Sequence, residues 1–418
     1  MSLDLVPFSG LSARKPDALL ALIALHEADR RPGKIDVGVG VYRDETDRTP
    51  VMRAVKAAEV RLADEQPTKA YLGADGDVQY TALLSDVVFG SHRQEPRRFG
   101  LQTPGGTGAL RLGAELIAHA APDTRVWLGA PTWPNHAPIF EEARLKTATH
   151  PYFDMASGGI AFDAMIDALG DAAPGDVLLL HGCCHNPTGT QFTLAQWREL
   201  ANLCNVRGLV PFVDLAYQGL GDGLEEDAAG VRQLLEAVPG ALLAYSCDKN
   251  FGLYRERVGA LWVQASAPGL TELVRGNLLA LARSLWSMPP DHGAAIVRTI
   301  LEDSALVMQW RDELDAMRAR INAVRKALAA QHPALDAIAG QRGLFSLLPV
   351  DADAVASMRD SHGIYMPANA RLNLAGLNAR NLVAFAEALR PHIPAVAARV
   401  VHGATSAEPF LNSKERKP

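Results

Sequence analysis

Five short apolar runs occupy the middle of the chain: TRVWLGAP (124–131), DVLLLHG (176–182), LVPFVDLAY (209–217), ALLAYS (241–246) and VGALWVQ (258–264). They are near-continuous in Val, Leu and Ala and do not alternate with polar residues. Strands of that composition are buried on both faces, which is the situation of a parallel sheet covered by helices. Helical patterns lie between them. One is well marked: Thr193 and Gln196 form a capping box, after which Leu194, Trp197, Ala201 and Cys204 recur on one face. This alternation predicts a doubly wound α/β core.

Beyond residue 304 the pattern changes. Ser304 opens a long helix with Leu306, Trp310, Leu314, Met317, Ile321, Val324 and Leu328 at helical spacing. We expect it to connect a large domain (50–312) to a smaller one (313–418), with residues 1–49 supplying an arm and part of the small domain. The tail SAEPFLNSKERKP has no periodicity and is expected to fray. MSLDLVPFSG at the start carries an acid and no basic run, so neither a signal peptide nor a membrane span is expected. A net charge of −6 over 418 residues leaves no basic footprint for nucleic acid. The cysteines (Cys183, Cys184, Cys204, Cys247) are too few for a disulfide framework, and a reducing, cytoplasmic setting fits them.

In open α/β sheets, ligands bind beyond the carboxyl ends of the strands. Here those ends deliver Trp133 and His136, then Asn186, then Asp214 and Tyr217, then Ser246 and Lys249. A separate stretch, QTPGGTGALRLGAEL (102–116), places Gly105, Gly106 and Gly108 around a helix start near Thr107, where bare N–H groups can hold a phosphate. It matches neither the P-loop nor the dinucleotide glycine pattern. A phosphate cradle, a lysine, a carboxylate, a phenol and an aromatic plate are together what pyridoxal phosphate needs.

The segments GVGVYRDE, YLGADG, QTPGGTGAL, PTWPNH, HNPTG, DLAYQG, SCDKNFGLYRERVG, WSMPPDHGA, QRGLF and ARLNLAGL occur in order from about residue 35 to 377. In them the chain resembles the class I aspartate/aromatic aminotransferases. The resemblance implies a fold-type I architecture, with a mostly parallel seven-stranded sheet between helices and a smaller α/β domain. It also implies roles. Lys249 would be the Schiff-base lysine and proton-transfer base. Asp214 would pair with the pyridinium nitrogen, backed by His136. Tyr217 and Asn186 would bond the ring oxygen, and Trp133 would stack on the ring. Gly106, Thr107, Ser246 and Arg257 would hold the phosphate. Arg371, beside Gly38, would grip the substrate α-carboxylate. Tyr71 and Arg283 would come from the neighbouring subunit of a homodimer, the first to the phosphate and the second to the substrate side chain.

Two local features need separate treatment. HGCCH (181–185) offers soft ligands, yet adjacent cysteines after a strand are expected to point to opposite faces, and no second Cys pair completes a zinc site. Asp248 stands where the family usually has serine. A carboxylate there would repel a phosphate and raise the pKa of Lys249. On an extended segment it would instead turn away from the cofactor and pair with Arg255, Arg257 or another cation. As to substrate, Arg283 permits aspartate, glutamate and their oxo acids. Trp286 and Met288, where the family commonly has tyrosine and asparagine, are expected to loosen Arg283 and widen the apolar pocket toward Phe, Tyr and Trp, with 2-oxoglutarate or oxaloacetate as acceptor. A strict aspartate aminotransferase and a pyridoxal-phosphate lyase are the alternatives.

Overall fold

The computed structural model describes residues 8, 11–13, 18–92 and 95–393. The tail from Ser406 and the first seven residues lie outside the described residues.

One seven-stranded sheet organises the molecule. Its strands in chain order are β1 (Arg98–Pro104), β2 (Arg125–Ala130), β3 (Lys146–Pro151), β4 (Val177–His181), β5 (Val210–Leu215), β6 (Ala241–Ser246) and β7 (Val258–Gln264). Across the sheet they run β1-β7-β6-β5-β4-β2-β3. All five apolar runs are strands, and β4, β6 and β7 are buried at every residue. The sheet is mostly parallel, as expected, with one reversed strand. β7 is antiparallel to both of its neighbours, while the remaining pairs are parallel. The link from β6 to β7 spans only residues 247–257, which turns the chain straight back instead of crossing over through a helix.

Helices cover both faces. α1 (Gly105–Ala120) leaves β1 directly and packs so closely that a Cβ at Gly113 would come 2.5 Å from the Phe212 ring. α2 (Leu194–Arg207) carries the expected capping box, with Gln196 N–H donating to Thr193 Oγ1 at 3.2 Å and the Gln196 side chain accepting from Thr193 N–H at 2.9 Å. It stops at Gly208, whose φ of 67° suits the left-handed cap. α3 (Ser304–Ala329) begins where expected, although the cap is Asp303, which accepts from the N–H groups of Ala305 and Leu306. Its buried stripe is Trp310, Leu314, Met317, Ile321, Val324 and Leu328, with Arg325 among them.

Three small ladders lie apart from the large sheet among the described residues; one is the short hairpin Phe153–Asp154 with Gly159–Ile160, and the other two lead to the site. Ile35–Asp36 pairs in parallel with Ile364–Tyr365, and Phe345–Leu347 pairs antiparallel with Arg371–Asn373. The first ties the N-terminal segment to the C-terminal part, and the second presents Arg371. Among the described residues, no helix is long and apolar enough to cross a membrane.

Candidate active site

Strands β4, β5 and β6 run in parallel and in register, so His181, Asp214 and Ala244 stand side by side at their carboxyl ends. A cavity of about 310 Å³ opens just beyond. Asp214, Tyr217, Ser246 and Lys249 line it from the strand ends, Gly106 and Thr107 from the start of α1, and Arg257 from the turn before β7. Trp133, Asn186 and Arg371 complete it. Ten predicted residues, drawn from positions 106 to 371, thus meet at one sheet edge.

At the inner end the polar groups form a chain. Asp214 Oδ2 lies 3.0 Å from Nε2 of the wholly buried His136, whose Nδ1 is 2.8 Å from Thr132 Oγ1. The same hydroxyl reaches His181 Nε2 at 3.1 Å. Burial pushes the Asp214 carboxyl up, but the hydrogen bond and charge of His136, aided by His181 and Lys249, outweigh it and hold the group below its ordinary range. Asp214 is therefore an anion at neutral pH. His181 is held down to about 3, first by burial and then by His136, and stays neutral.

Lys249 sits opposite. Its Nζ is 3.4 Å from Ser246 Oγ and 5.3 Å from the centre of the Tyr217 ring. Burial lowers its pKa, and Asp248 and Asp214 offset only part of that effect. The expected upward pull of Asp248 exists but does not prevail. Desolvation raises the Tyr217 phenol in turn, so it remains a hydrogen-bond donor.

The other end is built for anions. A Cβ on Gly105 (φ 67°) would lie 2.5 Å from Arg257 Nη2, and one on Gly106 would lie 3.2 Å from Ser246 Cβ, so only glycine keeps this helix start open. Arg371 is 7% exposed and has no acid partner among the described residues. Its Nη2 donates to Gly38 O at 2.8 Å, its Nη1 lies 3.5 Å from Asn186 Oδ1, and its guanidinium rests 4.5 Å over the Phe345 ring. The buried Nε–H has no partner. A buried cation with an unmet donor is a seat for a carboxylate.

Two expectations fail on local geometry. Residues 248–250 form a turn, not an extended segment, and Asp248 lines the cavity. It does pair with Arg257, but does so inside the cradle. Nor do the adjacent cysteines diverge: Cys184 has a φ of 49°, and the Cys183, Cys184 and Asp227 ligand atoms all lie within 4.8 Å of one another. Asp227 already accepts from the N–H groups of Gly219, Gly221 and Asp222, and burial raises both thiols.

Not every predicted residue lines the cavity. His136 stands behind Asp214, and Gly38 acts through its carbonyl. Tyr71 is 94% exposed, and Arg283 is exposed and donates to Ser287 Oγ; neither reaches the cavity of its own chain. Thr132, His181, Tyr254 and Phe345 belong to the site but were not singled out for it. His181 could have been found, since it ends β4 as Asp214 nearly ends β5.

Residues 32–389 match the family model described as aminotransferase class I and II. The tyrosine aminotransferase of Rhizobium meliloti is 52% identical over 88% of this chain and 96% of its own length. The aromatic-amino-acid aminotransferase of Paracoccus denitrificans is 43% identical (91% and 98%), and the aspartate aminotransferase of Escherichia coli 40% identical (91% and 99%). Among solved structures, an aromatic amino acid aminotransferase with 3-indolebutyric acid superposes with a TM-score of 0.89 at 42% identity, over 91% of this chain and 98% of that one. The aromatic-amino-acid aminotransferase of Burkholderia pseudomallei, covalently bound to pyridoxal phosphate, also gives 0.89, at 36% identity over 93% and 99%. With the strand-end lysine, the buried acid and the anion seats all in one cavity, the chain belongs to the class I and II aminotransferases, a pyridoxal-phosphate-dependent family.

Proposed function

We propose that this chain transfers amino groups between aromatic or dicarboxylic L-amino acids and 2-oxo acids, with Lys249 as the catalytic amine. The observation that carries the reading is electrostatic: one cavity holds an amine pushed toward neutrality and a buried carboxylate kept ionised. The residues suit pyridoxal phosphate. Lys249 would bond its aldehyde carbon, and Asp214 would keep its ring nitrogen protonated. Tyr217 and Asn186 would bond its ring oxygen, and Trp133 would stack on its face. Gly106, Thr107, Ser246 and Arg257 would hold its phosphate. When bound, the cofactor supplies an electron sink that acidifies the substrate Cα–H.

Each of the chain's own groups then has a defined task. Arg371 anchors the α-carboxylate of the incoming amino acid, aimed by Gly38 O and Asn186. Lys249, its pKa lowered by burial, would serve as the base that moves the proton from Cα. His136 and Thr132 hold the Asp214 carboxylate in one orientation.

Exposed Tyr71 and Arg283 support a homodimer in which each subunit completes its neighbour's site. The ladder between Ile35–Asp36 and Ile364–Tyr365 supports a smaller domain built from 313–418 with part of 1–49, beside a large domain of 50–312. Four free, buried cysteines support a cytoplasmic setting.

Absorbance before and after borohydride tests the cofactor assignment. A visible band should disappear, leaving the cofactor fixed to Lys249; labelling of another lysine sinks the assignment. Relative kcat/KM for phenylalanine and aspartate tests the breadth. Trp286, three residues beyond Arg283 in sequence, supports a broad enzyme. An aspartate preference of about a thousandfold, ~4 kcal/mol, would make it dicarboxylate-specific instead.

A further inference from the structure

The Asp248 carboxylate has no counterpart in the chemistry assigned so far. It is 3% exposed and lines the cavity. One oxygen pairs with Arg257 Nη1, and the other accepts from the backbone N–H of Val258 at 3.1 Å. The oxygen that meets Arg257 also lies 3.4 Å from where a Gly105 Cβ would be, beside the bare start of α1. The anion thus sits among the donors that form the phosphate cradle, and it already occupies part of the cradle's arginine.

We propose that Asp248 sets the strength of the cradle. It holds Arg257 in place when no phosphate is bound, and it competes with a bound phosphate for the same guanidinium. Two effects oppose each other. Fixing Arg257 in advance favours phosphate binding, because less side-chain freedom is lost on binding. A carboxylate buried beside a phosphate dianion disfavours it, since like charges repel and the Asp248 carboxylate is itself shielded from water. Ordering one side chain is worth about a factor of ten at most. The repulsion acts between a full charge and a double charge within one cavity, and Arg257 cannot neutralise both partners. Repulsion therefore wins, and the chain holds phosphate less tightly than the same cradle without the acid. A cofactor held in this way leaves its site more readily.

The inference rests on reading the cavity as a phosphate site, and the test separates the two. Asp248→Asn removes the charge but retains an oxygen that can accept from Val258; Asp248→Ser removes both. Apo forms of the full chain would be titrated with inorganic phosphate by calorimetry, and with pyridoxal phosphate and phosphate-free pyridoxal by absorbance. Asp248→Asn should bind inorganic phosphate and pyridoxal phosphate about tenfold more tightly, change pyridoxal, which meets only the Lys249 end, by clearly less than that, and lower the apo melting temperature. Asp248→Ser should follow in affinity with a larger loss of apo stability. Phosphate affinities that are unchanged within about twofold, or weaker, in Asp248→Asn would overturn the inference. A wild-type protein that gains no visible band with pyridoxal phosphate would overturn the functional reading instead.

Discussion

At the inner end of the cavity Asp214, His136, Thr132 and His181 form a continuous hydrogen-bonded chain rooted in strand ends. At the outer end Arg371 keeps a buried N–H without a partner, and Arg257 shares its charge with Asp248. The inner end is complete in the protein alone, because what it does, hold one ionised carboxylate, needs only protein groups. The outer end keeps donors that the protein's own groups do not meet, as the proposed binding of phosphate and carboxylate requires. One end is closed on itself and the other keeps free donors, and each should respond differently to substitution.

The largest effect falls where the two ends meet. Lys249→Ala should lower kcat by about 10⁴-fold and abolish the borohydride-fixed adduct, as steady-state assay and peptide mapping would show. Asp214→Asn breaks the inner end and should lower kcat by about 10³-fold, with little change in KM. Arg371→Lys breaks the outer end. It loses the two-pronged fork, and kcat/KM should fall about a hundredfold, ~2.7 kcal/mol, for aromatic and acidic amino acids alike. Loss confined to one substrate class would show that Arg371 grips the side chain and not the common carboxylate.

The smallest effect sharpens the comparison without any ligand. The Asp214 carboxyl is lower in the folded chain than in the unfolded one, so it contributes stability above the unfolded value near 4. That contribution is lost as pH falls through the folded value. Apo Asp214→Asn should therefore melt below the wild type at pH 7, and the gap should close as the pH is taken below about 4. A gap that persists in acid would mean that the carboxylate matters for shape rather than charge.

The inner end was legible in the sequence because strands buried on both faces leave unbroken apolar runs, and the residue following each run is placed by the sheet itself. Strands β1 and β3 were not seen. Both are edge strands; β3 is buried only at His150, so KTATHP shows no run, and RFGLQTP carries Gln102 and Thr103, polar residues buried by specific hydrogen bonds rather than by apolar patterning. The reversal of β7 was hidden because an apolar run has no direction. Asp248 was misplaced because strand geometry was extended into what is a turn, where neighbouring side chains need not diverge. The same error separated Cys183 from Cys184.

The ladder that joins residues 35–36 to 364–365 continues in side-chain bonds, for Asn373 Nδ2 donates to the carbonyls of Val39 and Val41, and Arg371 donates to that of Gly38. The seat proposed for the substrate carboxylate is therefore stitched from segments around residues 38–41 and 371–373. A protein shortened before Tyr42 would keep every group assigned to the cofactor, yet its arginine would lose the carbonyl that aims it.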